Sequence, residues 1–192
     1  LYYIKGEENL GDLFPLTSHE IDLTNARYII PGQCVQIAHA QKYSSPIRYI
    51  FPDPLNEAGW QIYAAQIILD EEFEEWDDVH HILKMKEEVI VICRAFIEGQ
   101  YYSGNMDRKT ALAYLQKEAF LNSSEAEALM LQSDLYYFSG TQAFVGMMEI
   151  NSILKEYKKN AGDSFSILKF HQEMLENGII SFNQLKKQLV SL

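Results

Sequence analysis

The stretch from Val79 to Tyr102 contains no proline, and it constrains the fold more than any other part of the chain. A run of this length without a breaker reads as one helix. Its centre, Val89-Ile90-Val91-Ile92, is apolar all the way round a helical turn and is expected to be buried on several sides. The flanking sequence repeats the helical pattern. Ile62, Ala65, Ile68 and Leu69 recur at three- and four-residue intervals in a segment from Leu55 to about Phe73 that Asp53 can cap. Earlier, Thr24 or Asn25 caps a segment Ala26 to Ile30, which Pro31-Gly32 interrupts before helical spacing resumes from Gln33 to Lys42. Later, Asp107 caps Arg108 to Ala119, and Ser123 or Ser124 caps a helix opening on Glu125-Ala126-Glu127, with acids suited to its first turn. Ser139-Gly140 then precedes a helix from Thr141 to Lys159, and Ser166 to Glu176 and Ser181 to Leu189 close the chain. Leu1 to Lys5 is β-prone and Gly6 to Thr24 reads as a loop. The expected fold is mainly α with a short N-terminal β segment. At 192 residues, 47% of them apolar, the chain suffices for a single domain over residues 1–192.

A net charge of −11 argues against a nucleic-acid surface, which needs clustered Lys and Arg to displace counterions from phosphates. No apolar run approaches the ~18 residues of a spanning helix. Cys34 and Cys93 are too few for a disulfide framework and match no zinc knuckle. Seven acids between Asp70 and Asp78 read as a solvated turn, since they lack the glycine and spacing of a calcium loop.

Two stretches carry a resemblance: Arg27-Tyr28-Ile29-Ile30-Pro31-Gly32-Gln33-Cys34-Val35-Gln36, and Glu57-Ala58-Gly59-Trp60-Gln61-Ile62-Tyr63. Their frame resembles the paired motifs His-Glu-x-x-Pro-Gly-His-His-x-Gln and Glu-Gly-Trp-x-x-Tyr of a bacterial family, domain of unknown function 885, which contains gluzincin-like zinc peptidases. Pro31, Gly32, Gln36, Gly59, Trp60 and Tyr63 keep the frame. The positions that carry the chemistry differ. Arg27 and Tyr28 stand at the His-Glu pair, Gln33 and Cys34 at the His-His pair, and Ala58 at the Glu before Gly-Trp. The family's Arg-x-x-x-Asp-x-Gly-x-His pattern falls on Arg94 to Tyr102, with Glu98 for the Asp and Tyr102 for the His. A later Tyr falls on Gly146, and Phe170, His171, Met174, Leu175 and Gly178 match the closing pattern. The resemblance implies a zincin-like helical domain that is the C-terminal portion of a larger peptidase-like protein. It also implies a bacterial origin, with the cytoplasm and export both open.

A catalytic zinc needs about three protein ligands and a carboxylate that takes the proton of the bound water. Arg27 keeps its proton and has no lone pair to give. Gln33 offers a neutral amide, Ala58 offers nothing, and Tyr28 is a poor base near neutrality. Arg27, Tyr28, Gln33, Ala58, Tyr102 and Gly146 are therefore read as degenerate positions, with no catalytic, cofactor or metal residues among them. Glu57 is expected to point away from the ligand position, because one helical step turns a side chain by roughly 100°. His19-Glu20 lacks the second His of a zinc helix, which Leu23 replaces. Cys34 and His39 share no helical face, and Cys34 reads as a buried packing residue. His80-His81 reads as a solvated helix start and His171 as structural. A cation in place of a cation suggests that Arg27 pairs with a carboxylate such as Glu98. The expected function is a non-catalytic peptidase-like domain whose former cleft binds a peptide or protein; the alternative is a metal-dependent hydrolase with relocated ligands. A cleft walled by Tyr28, Tyr63, Tyr101, Tyr102 and Tyr136 favours binding over a filled scaffold.

Overall fold

A computed structural model describes residues 17–70 and 76–190. Among these the structure is helical, in the order α1 (Ser18–Tyr28), α2 (Gln33–Tyr43), α3 (Pro46–Ile50), α4 (Pro54–Asp70), α5 (Asp78–Tyr102), α6 (Arg108–Glu118), α7 (Ser123–Leu135), α8 (Ser139–Ala161), α9 (Ile167–Glu176) and α10 (Phe182–Leu189). The fold is mainly α, and no strand occurs among the described residues. The β-prone stretch Leu1 to Lys5, and most of the acidic run, lie outside them.

Most helix ends follow from local chemistry. Asp77 caps α5 and Asp107 caps α6, each through its own carboxylate. Asn122, rather than the serines after it, caps α7 in a reciprocal box with Glu125. The segment expected to be a loop up to Thr24 is a helix from Ser18 onward. Thr17 caps α1, and Glu20 returns a bond to the Thr17 backbone, so a Thr-x-x-Glu box in the sequence marked this start.

The helices are assembled around a close crossing of α4 and α8. At its centre Gly59 meets Gly146 backbone to backbone. A Cβ built on Gly59 would lie 2.3 Å from the Gly146 carbonyl carbon, and one on Gly146 would lie 2.0 Å from the Leu55 carbonyl oxygen. Only glycine at both positions lets the helices approach this far. The approach allows Trp60, Tyr63, Ile150 and Ile153 to form a core with Phe170 and Met174 of α9 and Phe182, Leu185 and Leu189 of α10. A second cluster joins Cys93 and Ile97 of α5 to Ala111 and Leu115 of α6 and to Ala126 and Met130 of α7. A smaller one packs Leu23 and Ala26 of α1 on Ala65 of α4. Val89 to Ile92 are not buried on several sides as expected. Val89 and Ile90 pack against the second cluster, Val91 faces a cavity, and Ile92 is exposed. Cys34 is exposed as well.

The break between α1 and α2 is held from α4. Trp60 Nε1 donates to the carbonyls of Pro31 at 3.0 Å and Gly32 at 3.3 Å. A Cβ on Gly32 would sit 1.9 Å from the Arg27 carbonyl oxygen, so glycine is required where the chain turns back on α1. Gln36 Nε2 donates to Asn56 Oδ1 at 3.1 Å, and Asn56 Nδ2 donates to the Ile180 carbonyl at 2.7 Å. These bonds tie α2, α4 and the segment before α10 together, so Pro31, Gly32, Gln36, Gly59 and Trp60 each have an architectural task. In the core, Tyr63 Oη and His171 Nε2 share a hydrogen bond of 2.8 Å. Burial holds the His171 imidazole down to about 4, with Asp70 pulling weakly the other way.

Gly59→Ala should destabilise the protein by about 3 kcal/mol or more in denaturant unfolding, because the added methyl meets rigid backbone. Gly99→Ala, where a Cβ meets nothing within 4 Å on α5, should instead stabilise by about 0.5–1 kcal/mol. The His171 pKa lies below its unfolded value, so its contribution is present above about pH 6.5 and is lost as the pH falls toward 4. Partial exposure of the ring keeps the loss between pH 7 and pH 5 to about 1–2 kcal/mol. Unfolding curves of His171→Gln should show a correspondingly flatter pH dependence over this range.

Candidate functional site

A cavity of about 1130 Å³ opens where the C-terminal ends of α1 and α7, the N-terminal ends of α2, α4 and α8, and the middle of α5 come together. It is wide enough for a small ligand or a short peptide segment. Arg27, Tyr28, Gln33 and Ala58, brought from three helices, all line it. Tyr102 and Gly146 do not. The Tyr102 hydroxyl donates to the Ser133 carbonyl, and its ring packs on Tyr137, 5.3 Å away, and on Phe138, 5.0 Å away. Tyr137 is in the wall, which leaves Tyr102 behind it. Gly146 is sealed in the α4–α8 crossing, where any side chain would meet the Leu55 carbonyl. Of the tyrosines expected around a cleft, Tyr28 and Tyr136 line the cavity and Tyr137 joins them. Tyr63 faces His171 in the core, and Tyr101 packs with the second apolar cluster.

The cavity's polar groups are organised in pairs. Arg27 Nη1 donates to Glu87 Oε1 at 3.1 Å, and the Arg27 guanidinium carbon lies 5.2 Å from the centre of the Tyr28 ring. The expected Arg27–Glu98 pair is not formed, because Glu87 lies within reach on the wall and Glu98 is committed elsewhere. Arg27 Nε is buried and finds no hydrogen-bond partner among the described residues. Gln33 Nε2 donates to Glu57 Oε1 at 2.7 Å. Glu57 therefore faces the cavity together with Ala58, contrary to the expectation from helical geometry; the opening is broad enough to take both positions.

Below one wall lies a buried charge network. Glu98, 1% exposed, accepts from Arg94 Nε at 3.1 Å and from Ser133 Oγ at 3.0 Å. It also accepts from the Gly140 and Thr141 backbone N–H groups at 3.1 and 2.8 Å, and from Thr141 Oγ1 at 2.9 Å. The first residue flanking α8, Phe138, is left-handed with φ 58° and caps nothing with its side chain. Glu98 thus caps α8 from a neighbouring helix and satisfies its orphan N–H groups with a favourably placed negative charge. Arg94 lies across Gly140, where a Cβ would meet Arg94 Cγ at 2.5 Å, and its other nitrogen reaches Ser139. This i,i+4 pair on α5 is legible in the sequence, but its use as a remote cap is not.

Arg27, Gln33 and Ala58 do not fit the zinc ion that the resemblance implies. Arg27 brings a fixed positive charge already paired with Glu87, and the Gln33 amide is engaged by Glu57. Among the described residues, no group of three His, Cys, Asp or Glu at ligand spacing includes a cavity residue.

Fold and site together define an all-α domain in which the ends of several helices enclose a cavity walled by amide, tyrosine and aliphatic side chains. The chain belongs to the bacterial family described as protein of unknown function (DUF885), which it matches over residues 2–189. It is similar in structure to a candidate lipoprotein of unknown function from Shewanella oneidensis, with a TM-score of 0.79 and 24% identity, covering 87% of this chain and 31% of that one. A candidate lipoprotein from Colwellia psychrerythraea gives a TM-score of 0.82 at 21% identity, over 89% of this chain and 30% of that one. Both likenesses concern the fold, and the chain spans about a third of the length of either protein. Comparison with curated proteins finds no match. No helix among the described residues is long and apolar enough to cross a membrane.

Glu98→Ala should lower stability by about 3–5 kcal/mol, since it leaves Arg94 and the first turn of α8 without their buried acceptor. Urea unfolding monitored by circular dichroism would measure this.

Proposed function

We propose that this chain is a peptidase-like domain whose former metal cleft binds a peptide or protein segment without cleaving it. The observation that carries the reading is the convergence of Arg27, Tyr28, Gln33 and Ala58 on one cavity in which Arg27 is paired with Glu87 and the Gln33 amide donates to Glu57. In the resembled peptidases these positions would ligate zinc and activate water. Here Arg27 and Gln33 are engaged by Glu87 and Glu57, so the two carboxylates nearest these positions are held in side-chain pairs.

The remaining wall suits a peptide. Gln61, Gln132 and Gln142 each offer a donor and an acceptor, which matches the alternating N–H and C=O groups of an extended backbone. Ile62, Ile90 and Leu129 give apolar surface for side chains, while Tyr136 and Tyr137 supply rigid amphipathic contacts. A net charge of −11 favours a basic or neutral segment over an acidic one.

The wild-type protein supplied with zinc should leave a mixture of unmodified peptides intact. The combined variant Arg27→His, Tyr28→Glu, Gln33→His, Ala58→Glu should take up about one zinc per chain more than the wild type, measured by elemental analysis after gel filtration. Chelator-sensitive peptide hydrolysis by the wild type would overturn the reading.

A further inference from the structure

A second cluster of chemistry-bearing side chains lies outside the cavity, where the start of α1 meets the start of α5. His80 is 3% exposed although it stands in the first turn of α5 beside the exposed His81. The expectation of a solvated histidine pair therefore fails for one member. Trp76 stacks flat on the His80 ring, with centroids 4.7 Å apart and planes at 10°, and the His19 ring lies 4.6 Å away on α1. Two carboxylates converge on the same imidazole. Asp77 Oδ1 is 3.0 Å from His80 Nδ1, and Asp22 Oδ2 is 3.4 Å from His80 Nε2. Asp77 Oδ2 is also 3.6 Å from His19 Nε2.

These distances have a specific chemistry. Ligand atoms around a tetrahedral zinc with bonds of about 2.1 Å stand about 3.4 Å from one another. One ligand atom each from His19, Asp77 and His80 lies within 4.8 Å of the other two, so side-chain rotations that bring the atoms up to about 1.4 Å closer would close the set. With the proton on Nε2, the single Nδ1 lone pair of His80 accepts the Asp77 N–H at 3.1 Å beside Asp77 Oδ1 at 3.0 Å, and a cation bound there takes that lone pair over from the N–H. In the same tautomer Nε2–H points at Asp22, the arrangement by which an outer carboxylate orients a metal-binding imidazole. The positive N-terminal ends of α1 and α5 oppose a cation here, and two carboxylates outweigh them. Asp77 and His19 are partly exposed, which leaves a path for the ion and room for water in the remaining position.

We infer that His19, Asp77 and His80 form a binding site for a divalent transition metal such as zinc, with Asp22 orienting His80 from outside the ligand set. Such an ion joins α1 to α5. Further along, the same two helices carry Arg27 and Glu87, whose pairing forms part of the cavity wall. The metal site is thus a clamp on the frame of the cavity rather than a catalytic centre within it. It stands on its own geometry, independent of whether the cavity binds peptides.

The test is calorimetric titration of metal-stripped protein with zinc, repeated with cobalt to read ligation from its visible spectrum. The expected result is one site per chain, tetrahedral nitrogen and oxygen ligation of cobalt, and a melting temperature about 5 °C higher at a hundredfold excess of zinc over Kd. Affinity should fall in acid, because a protonated imidazole has no lone pair to give the metal. His19→Ala should weaken binding by at least about tenfold, as should Asp77→Asn, which keeps the helix cap, and Asp22→Asn should cost about 10–100-fold. The proposal is overturned if Kd is weaker than about 1 mM, if His19→Ala binds zinc as the wild type does, or if zinc is lost in Glu57→Gln or Glu87→Gln instead. Because His19 lies outside the cavity, peptide hydrolysis by the His19→Ala variant would count against the proposed function and leave the clamp untouched.

Discussion

The contact between Gly59 and Gly146 sets the spacing on which the other elements depend. Helices normally pack 8–10 Å apart through interleaved side chains. Here the absence of a Cβ on both sides lets the α4 and α8 backbones touch, and a single methyl would force them apart. That proximity fixes the distance between Ala58, one residue before the contact, and Ala143, one turn before it on α8, and both line the cavity. The width of the cavity is therefore a by-product of this backbone contact.

Two further devices hold the rim. Trp60 follows Gly59 and fastens the Pro31-Gly32 break, so the helix that makes the crossing also positions Arg27 and Gln33 on either side of that break. On the opposite side Glu98 binds the start of α8 and Arg94 bridges to Ser139. A buried carboxylate is costly unless its lone pairs are filled, and five donors fill those of Glu98. Polar chemistry in this chain is thus spent largely on holding helix ends, and the cavity is what those ends surround.

The helical character and most boundaries were legible in the sequence because they are written locally, in caps such as Asp107 and breakers such as Pro31, although α8 starts at Ser139 and takes in Gly140 rather than beginning after it. The start of α1 was equally local, in Thr17 and Glu20, and a search for capping boxes alone finds it. Burial was less legible. Val91 and Ile92 look like core residues from periodicity, but apolar side chains also face cavities and surface, and nothing within a helix distinguishes these fates. His80 shows the converse: its burial depends on Trp76 and His19, one of them 61 residues away, which no local pattern encodes. Of the six positions that the motif resemblance groups, Arg27, Tyr28, Gln33 and Ala58 line the cavity while Tyr102 and Gly146 do not, and the partners Glu87 and Glu57 were not anticipated. Partner choice depends on which carboxylate is free, and Arg94 together with the start of α8 had already taken Glu98.

The capping of α8 by Glu98 has a practical side. Ser139 and Gly140 face the cavity on one side and are bonded to Arg94 and Glu98 on the other. An occupant pressing on that surface loads the same bonds that keep α8 registered on α5. Occupancy and resistance to heat are then coupled quantities, and a melting assay over a compound collection becomes a search for the natural ligand that needs no prior guess at its identity.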